Sequence, residues 1–279
     1  MFSVTDETAD LPPHLRKREG VAPPAPDQPT VEILVGAKGS SRQRNRAIDW
    51  LRANSRLTDH DVVVFFDDDF VPQDDWLAQA EASLLGDPAV AGVTGIVLAD
   101  GAALAGYDEN EAERILFEHR AELSSDDWRL RPGTVPELYG CNMAVRGSLV
   151  AQIAFDETLP LYGWLEDRDF SARLSQFGKM SRDAGLVGVH RGVKSGRVSG
   201  RKLGYSQIAN PLYLARKNTM DRRAAVKMCG TNIAANLLKS LRPEPFIDRR
   251  GRLRGNVDAL LDMLRGSLHP GRVDTTTPK

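Results

Sequence analysis

Residues 61–69 read DVVVFFDDD. Val62, Val63, Val64, Phe65 and Phe66 are β-branched or aromatic with no polar alternation, a pattern that predicts an inner parallel strand buried on both faces. Asp67, Asp68 and Asp69 follow at its carboxyl end, the edge where open α/β sheets bind ligands. Three adjacent like charges repel and are costly to bury, and a divalent cation with a hard-oxygen preference would offset that cost while bridging to a diphosphate. The bland alternative is a solvated turn leading into the next helix. Asp74 and Asp75 already serve that helix N-terminus, which leaves the triplet without a structural task.

Working outward, VEILVG at 31–36 is a short strand, a turn follows, and RNRAIDWLRAN at 44–54 carries helical spacing through Ile48 and Leu51. Downstream, VPQDDWLAQAEASLLGDP at 71–88 is a helix that stops near Gly86 and Pro88, and AVAGVTGIVLA at 89–99 is another strand. A polar helix is expected over 109–123, a strand around the GCN of 135–145, a helix over 165–178 and a strand over 181–190. The Pro-rich VAPPAPDQP at 21–29 can hold neither helix nor inner strand and reads as a loop. The alternation of strands and helices predicts an α/β layer architecture with a mostly parallel central sheet flanked by helices. The remainder reads as helical, with 205–218 interrupted by Pro211, then 222–241 and 256–268. It forms a C-terminal extension over 204–279 to a first domain spanning 1–203.

Composition agrees with a globular chain. Of 279 residues 41% are apolar and 27% charged, which excludes disorder, collagen and a disulfide scaffold. The net charge of −1 gives no support to a general nucleic-acid binder. It conceals an asymmetry, since residues 190–279 carry 19 Lys and Arg against 6 Asp and Glu. Two cysteines without ligand spacing leave no zinc motif and imply a reducing compartment. Acidic residues and prolines near the start do not form a signal peptide, so a cytoplasmic location is expected. The basic helices, with Leu and Met among Lys and Arg, read as a peripheral contact with the inner face of an anionic membrane.

Four ordered motifs resemble the family 2 glycosyltransferases of the GT-A fold, nucleotide-diphospho-sugar transferases. VEILVGAKGSSRQRNRAI resembles a strand leading into the family's Gly-Arg-Asn segment, here Gly39, Arg44 and Asn45. FFDDDFVPQDDWL resembles the DxD motif with its downstream acidic pair, LYGCNMAVRGS the acceptor-side Gly-x-Asn strand, and LYGWLEDRDFSARL the Glu-Asp motif. Together they span about residues 31–190.

The resemblance implies a sugar transferase that moves a sugar from a UDP- or GDP-linked donor to a hydroxyl of a glycan or lipid-linked acceptor, as in polysaccharide biosynthesis, with inversion and with Mg²⁺ or Mn²⁺. Asp69 would be the direct metal ligand and Asp67 would turn toward the ribose or the metal. Asp68 lies between them on the donor side, with solvent as its other outlet. His190 would complete the metal shell, beside the plain alternative of a structural histidine. Gly140, Cys141, Asn142 and Trp164 would line the acceptor side. Asp167 would be the general base, with Glu166 sharing or orienting that role. Lys38, Arg44, Arg197 and Arg201 would meet phosphate or ribose, although Arg44 could instead brace the aspartate loop. Arg197, Arg201 and their basic neighbours at 191–202 would form a mobile lid. At the front the pattern departs from the family: SVTDETAD looks like the end of its second strand, with Asp6 placed to meet a nucleobase, and the first strand-helix unit has no counterpart here. Two other readings compete with the transferase. One is a nucleotidyltransferase making the sugar-nucleotide, which would want a Gly-rich phosphate turn near the start. The other is a non-catalytic nucleotide- or glycan-binding module.

Overall fold

The computed structural model describes residues 1–6, 30–54, 57–121, 133–160, 164–193 and 199–274. The loop expected over 21–29 lies outside them. Strand β1 (Phe2–Val4) pairs in parallel with β2 (Ile33–Val35) as a separate two-stranded sheet, and α1 (Ser40–Asn54) follows. Then come β3 (Val62–Phe66), β4 (Phe70–Pro72), α2 (Trp76–Gly86), β5 (Val90–Asp100), α3 (Glu109–Ala121), β6 (Gly133–Thr134), β7 (Asn142–Arg146) and α4 (Gly147–Val150). Next are α5 (Glu166–Leu174) and β8 (Lys179–His190), and the chain continues through α6 (Gly200–Lys217), α7 (Arg222–Lys239) and α8 (Arg249–Leu264).

The α/β class stands, but the main sheet is mixed rather than mostly parallel. Its order is β3-β7-β5-β8-β4 with β6 on β8, and among its described pairings only β5 with β8 is parallel. The physical reason lies in the connections. Parallel neighbours need a crossover of a dozen or more residues, and Asp67–Asp69 is a three-residue turn, so β4 leaves β3 and pairs antiparallel with β8. Strand β3 sits at the end of the described sheet order, and Val62, Val63 and Val64 are half-buried instead of enclosed on both faces.

Helices cover both faces. Ile48 of α1 and Phe170 and Leu174 of α5 pack with Phe65, Met143 and Val145 on one side, where the Phe155 and Phe170 rings stack 4.3 Å apart. On the other, Trp76, Ala80 and Leu84 of α2 pack on Val93, Ala144 and Leu186. Trp76 is fully buried, with Phe66 edge-on at 4.7 Å, and burial of one such side chain is worth roughly 1.5–3 kcal/mol. Gly188 of β8 lies flat under Phe70, whose ring would be 2.1 Å from a Cβ at that position.

The expected break at Pro211 does not occur: α6 runs through it. Tyr205, Ile208 and Ala209 before the proline and Leu214 and Ala215 after it are all buried, so packing holds the helix where one backbone bond is lost. Helices α6, α7 and α8 share their own apolar cluster, and Leu214, Ala215, Met220 and Ala225 join Leu159 in another that ties them to the α/β layer. No helix among the described residues is long and apolar enough to cross a membrane.

Candidate active site

Strand register brings the acidic turn and His190 together. Phe70 and Asp100 are both cross-strand partners of His190, so the start of β4 and the ends of β5 and β8 meet at one place. There His190 Nε2 lies 3.3 Å from Asp69 Oδ1, and Nδ1 lies 2.9 Å from Asp100 Oδ1. The Tyr139 hydroxyl donates to the other Asp100 oxygen at 2.8 Å. One ligand atom each from Asp67, Asp69 and His190 fall within 4.8 Å of one another. Burial opposes the charge on His190, but the two carboxylates outweigh it and raise its pKa to about 10. Asp100 moves the other way, to about 2: burial works against its charge, and His190, the Ala102 N–H and Tyr139 prevail. Asp69 also accepts from the Val193 N–H at 2.9 Å, and its carbonyl receives the Arg191 N–H, so the segment beyond His190 hangs on the acidic turn.

A second group of charges adjoins the first through Arg44. From α1, its Nη2 donates to Asp67 Oδ1 at 2.8 Å and to the Gly140 carbonyl at 3.0 Å, while Nη1 donates to Glu166 Oε1 at 2.9 Å. Burial disfavours the guanidinium charge, yet Asp67, Glu166 and Asp167 together hold it more firmly protonated than usual. Arg44 thus braces the acidic turn against the start of α5. Glu166 is buried, and burial with the neighbouring Asp167 charge raises its pKa to about 7 against the pull of Arg44. Asp167 is half-buried; its pKa is also raised by burial, although the Gly140 and Arg168 N–H groups donate to it at 3.1 and 2.8 Å.

Local backbone explains this placement. Leu165, the residue entering α5, has φ 81°, in the left-handed region that disfavours a branched side chain. Such a residue costs of order 1–3 kcal/mol and persists only where its surroundings enforce it. It turns the chain so that Glu166 and Asp167 open the helix toward Gly140, where a Cβ would stand 3.3 Å from the Asp167 carboxylate.

The remaining candidates fall at varied distances from this centre. Asp68, Asp6 and Lys38 are exposed. Cys141 and Asn142 are buried, and Asn142 Oδ1 accepts from the Thr94 hydroxyl at 2.9 Å. Trp164 is half-buried, its carbonyl held by Asn210 of α6 at 2.8 Å. Arg201 makes a double contact with Asp258 of α8, at 2.6 and 3.1 Å. Arg197, with Lys194, lies outside the described residues. Asp75 is the N-cap residue of α2 but makes no capping bond with its side chain.

Sequence reasoning missed Asp100 and Tyr139. Asp100 looks like a cap for the short 3₁₀ turn after β5, and it does accept from the Ala102 N–H at 2.9 Å; its role beside His190 exists only through the β5/β8 register.

No protein-family model matches the sequence, nor does any curated protein. Among solved structures, the chain is similar to a mannosyltransferase from Pyrobaculum calidifontis in complex with GDP-Man and Mn²⁺, at 14% identity and a TM-score of 0.44, covering 88% of this chain and 67% of that one. It is also similar to GalNAc-T7 with UDP, GalNAc and Mn²⁺, at 12% identity and a TM-score of 0.43, covering 88% of this chain and 44% of that one.

Proposed function

We propose that this chain is a metal-dependent sugar transferase of the GT-A class that acts with inversion, using a nucleoside diphosphate sugar and an acceptor hydroxyl. The observation that carries the reading is that Arg44 joins the two charge groups: one side chain holds Asp67, beside Asp69 and His190, and Glu166, beside Asp167. A donor-side cation site and an acceptor-side base are the two parts this reaction requires.

The donor set suits such a cation. Two carboxylates and an imidazole within reach of one point match Mn²⁺ at least as well as Mg²⁺. Asp69 and His190 would hold the ion, with Asp67 on its other side, and the ion would supply charge neutralisation to the departing diphosphate. His190 would bind as neutral imidazole through Nε2, with Nδ1–H donated to Asp100.

Asp167 is the half-open carboxylate and takes the proton from the acceptor hydroxyl. The N–H groups of Gly140 and Arg168 fix its orientation. Glu166 is closed from solvent by Arg44 and by the Ser40 hydroxyl, which donates to it at 3.3 Å, so its task is to hold Arg44 and to tune Asp167. Competing roles fit less well: a nucleotidyltransferase would have little use for a base opposite the cation site, and a binding module would not require a strained turn under Glu166.

The decisive test is calorimetry of UDP and GDP binding with Mn²⁺ and with EDTA, followed by turnover of the matching donor by the wild type and by Asp167→Asn. Metal-dependent binding retained by Asp167→Asn, with turnover lost, is expected. Binding that ignores the metal, or turnover that survives the substitution, would overturn the assignment.

A further inference from the structure

Helices α7 and α8 each present apolar residues to solvent at helical spacing. On α7, Val226, Gly230, Ala234 and Leu237 are spaced by three or four residues and lie on one face, and Leu241 follows just past the helix end. Every one is exposed, Leu241 to 80%. Leu238 flanks the stripe, and a Cβ at Gly230 would meet no atom within 4 Å. On α8 the same spacing gives Arg250, Arg254, Val257, Leu261 and Leu264, also all exposed, with Leu264 at 81%. Phe246, in the turn between the two helices, is 52% exposed.

The charge around these stripes has one sign. Residues 222–265 hold ten Lys and Arg against four Asp and Glu. All four acids are engaged locally: Glu244 by Lys239 and Arg249, Asp258 by Arg201, Asp262 by Arg272 and the Tyr205 hydroxyl, and Asp248 as the cap of α8. Arg223, Lys227, Arg242, Arg250 and Arg254 make no ion pair among the described residues. An apolar stripe edged by unneutralised cations matches the interfacial plane of a bilayer, where the side chains enter the acyl boundary and the cations meet anionic headgroups. A second copy of the chain fits less well, because face-to-face contact would set these arginines against one another. Nucleic acid would use the cations but leave Leu237, Leu241 and Leu264 in water.

We propose that the α7–α8 face is a docking surface for an anionic lipid membrane. It holds the protein on the bilayer reversibly and is independent of the reaction proposed above.

The test is flotation of the full chain with vesicles of phosphatidylcholine alone and of phosphatidylcholine mixed with phosphatidylglycerol. Three proteins are compared: the wild type, the triple substitution Leu237→Ser, Leu241→Ser and Leu264→Ser, and the triple substitution Arg223→Glu, Arg250→Glu and Arg254→Glu. All six positions are exposed, so both variants should keep the wild-type circular dichroism and melting midpoint. The wild type is expected to float with the anionic vesicles and not the neutral ones, each variant binding at least about tenfold more weakly. Equal affinity of all three proteins, or no flotation with the anionic vesicles, would overturn the proposal. So would a wild-type dimer that the Leu→Ser variant converts to monomer, or capture by RNA in place of vesicles.

Discussion

His190 Nδ1 faces Asp100 Oδ1 at 2.9 Å, while its Nε2 faces Asp69 across 3.3 Å. The two residues are direct cross-strand partners at the ends of β5 and β8, so the contact is set by sheet register and not by a flexible loop. A histidine that gives Nδ1–H to a carboxylate keeps the Nε2 lone pair for a cation, and such partners strengthen the ligand and fix its ring.

Asp100→Leu is therefore expected to weaken Mn²⁺ binding by about 10- to 100-fold, read by the loss of free-ion signal in electron paramagnetic resonance. Asp100→Asn retains an acceptor oxygen and should lose less. Wild-type affinity in the Leu variant would remove Asp100 from the site.

The metal-free protein carries a stability signature of the same pair. The His190 pKa is raised to about 10 because Asp100 and Asp69 outweigh its burial. Its stabilising contribution is complete below the unfolded histidine value of about 6.5 and is lost as pH rises through the folded one. The melting midpoint of wild type relative to His190→Asn should fall steadily between those limits in EDTA. A difference that stays flat over this range would show that the pair does not stabilise the fold.

These residues also mark how far the sequence is readable. The DVVVFF strand, the acidic turn and the Glu-Asp helix start are legible because local pattern and local chemistry coincide there. Strand direction is not: a strand-helix alternation says nothing of where β7 enters, and it enters between β3 and β5 against both. Asp100 is hidden for the same reason, since its second function depends on a partner 90 residues away. Arg44 illustrates a middle case, its type and motif visible in the chain but its contacts with both Asp67 and Glu166 visible only in the fold.

Glu166 and Asp167 share the consequences of burial. Burial raises the pKa of Asp167, the proposed base, so the acid limb of the turnover profile should lie above the usual carboxylate range. Glu166→Gln leaves the Arg44 charge to Asp67 and Asp167 alone, which favours the ionised Asp167, so the limb moves to lower pH, whatever the change in maximal rate. A limb that does not move would separate the two carboxylates.

Arg44 is 10% exposed and neutralises carboxylates on two elements. Arg44→Met leaves Glu166 buried without its cation, a change that costs about 3 kcal/mol or more, measurable as a lower urea midpoint. Arg44→Lys keeps the charge but not the forked geometry that reaches both acids, and an intermediate loss is expected. A methionine variant within about 0.5 kcal/mol of wild type would rank with a neutral surface change and contradict the bracing role.

Lys217, near the end of α6, tests how the helical extension is joined to the α/β layer. Its Nζ lies 2.5 Å from Asp156 and 2.9 Å from Asp169, and Asp169, fully buried two residues beyond Asp167, also receives Arg173 and the Thr219 hydroxyl. Lys217→Met removes the cation that Asp156 and Asp169 share and leaves Asp169 to Arg173 and Thr219, at a cost of about 1.5–3 kcal/mol. The Asp156 pKa is lowered to about 2, because Lys217, the Thr158 N–H and Tyr213 outweigh its burial. That contribution is present above the unfolded carboxylate value of about 3.9 and lost as pH falls through the folded one, so the variant should be the less acid-sensitive of the two over that window. Because this network anchors α5 to α6, calorimetry should give one cooperative transition for wild type, shifted as a whole in the variant. Two separate transitions, only the later-sequence one responding to the substitution, would instead divide the chain into independent units near residue 203.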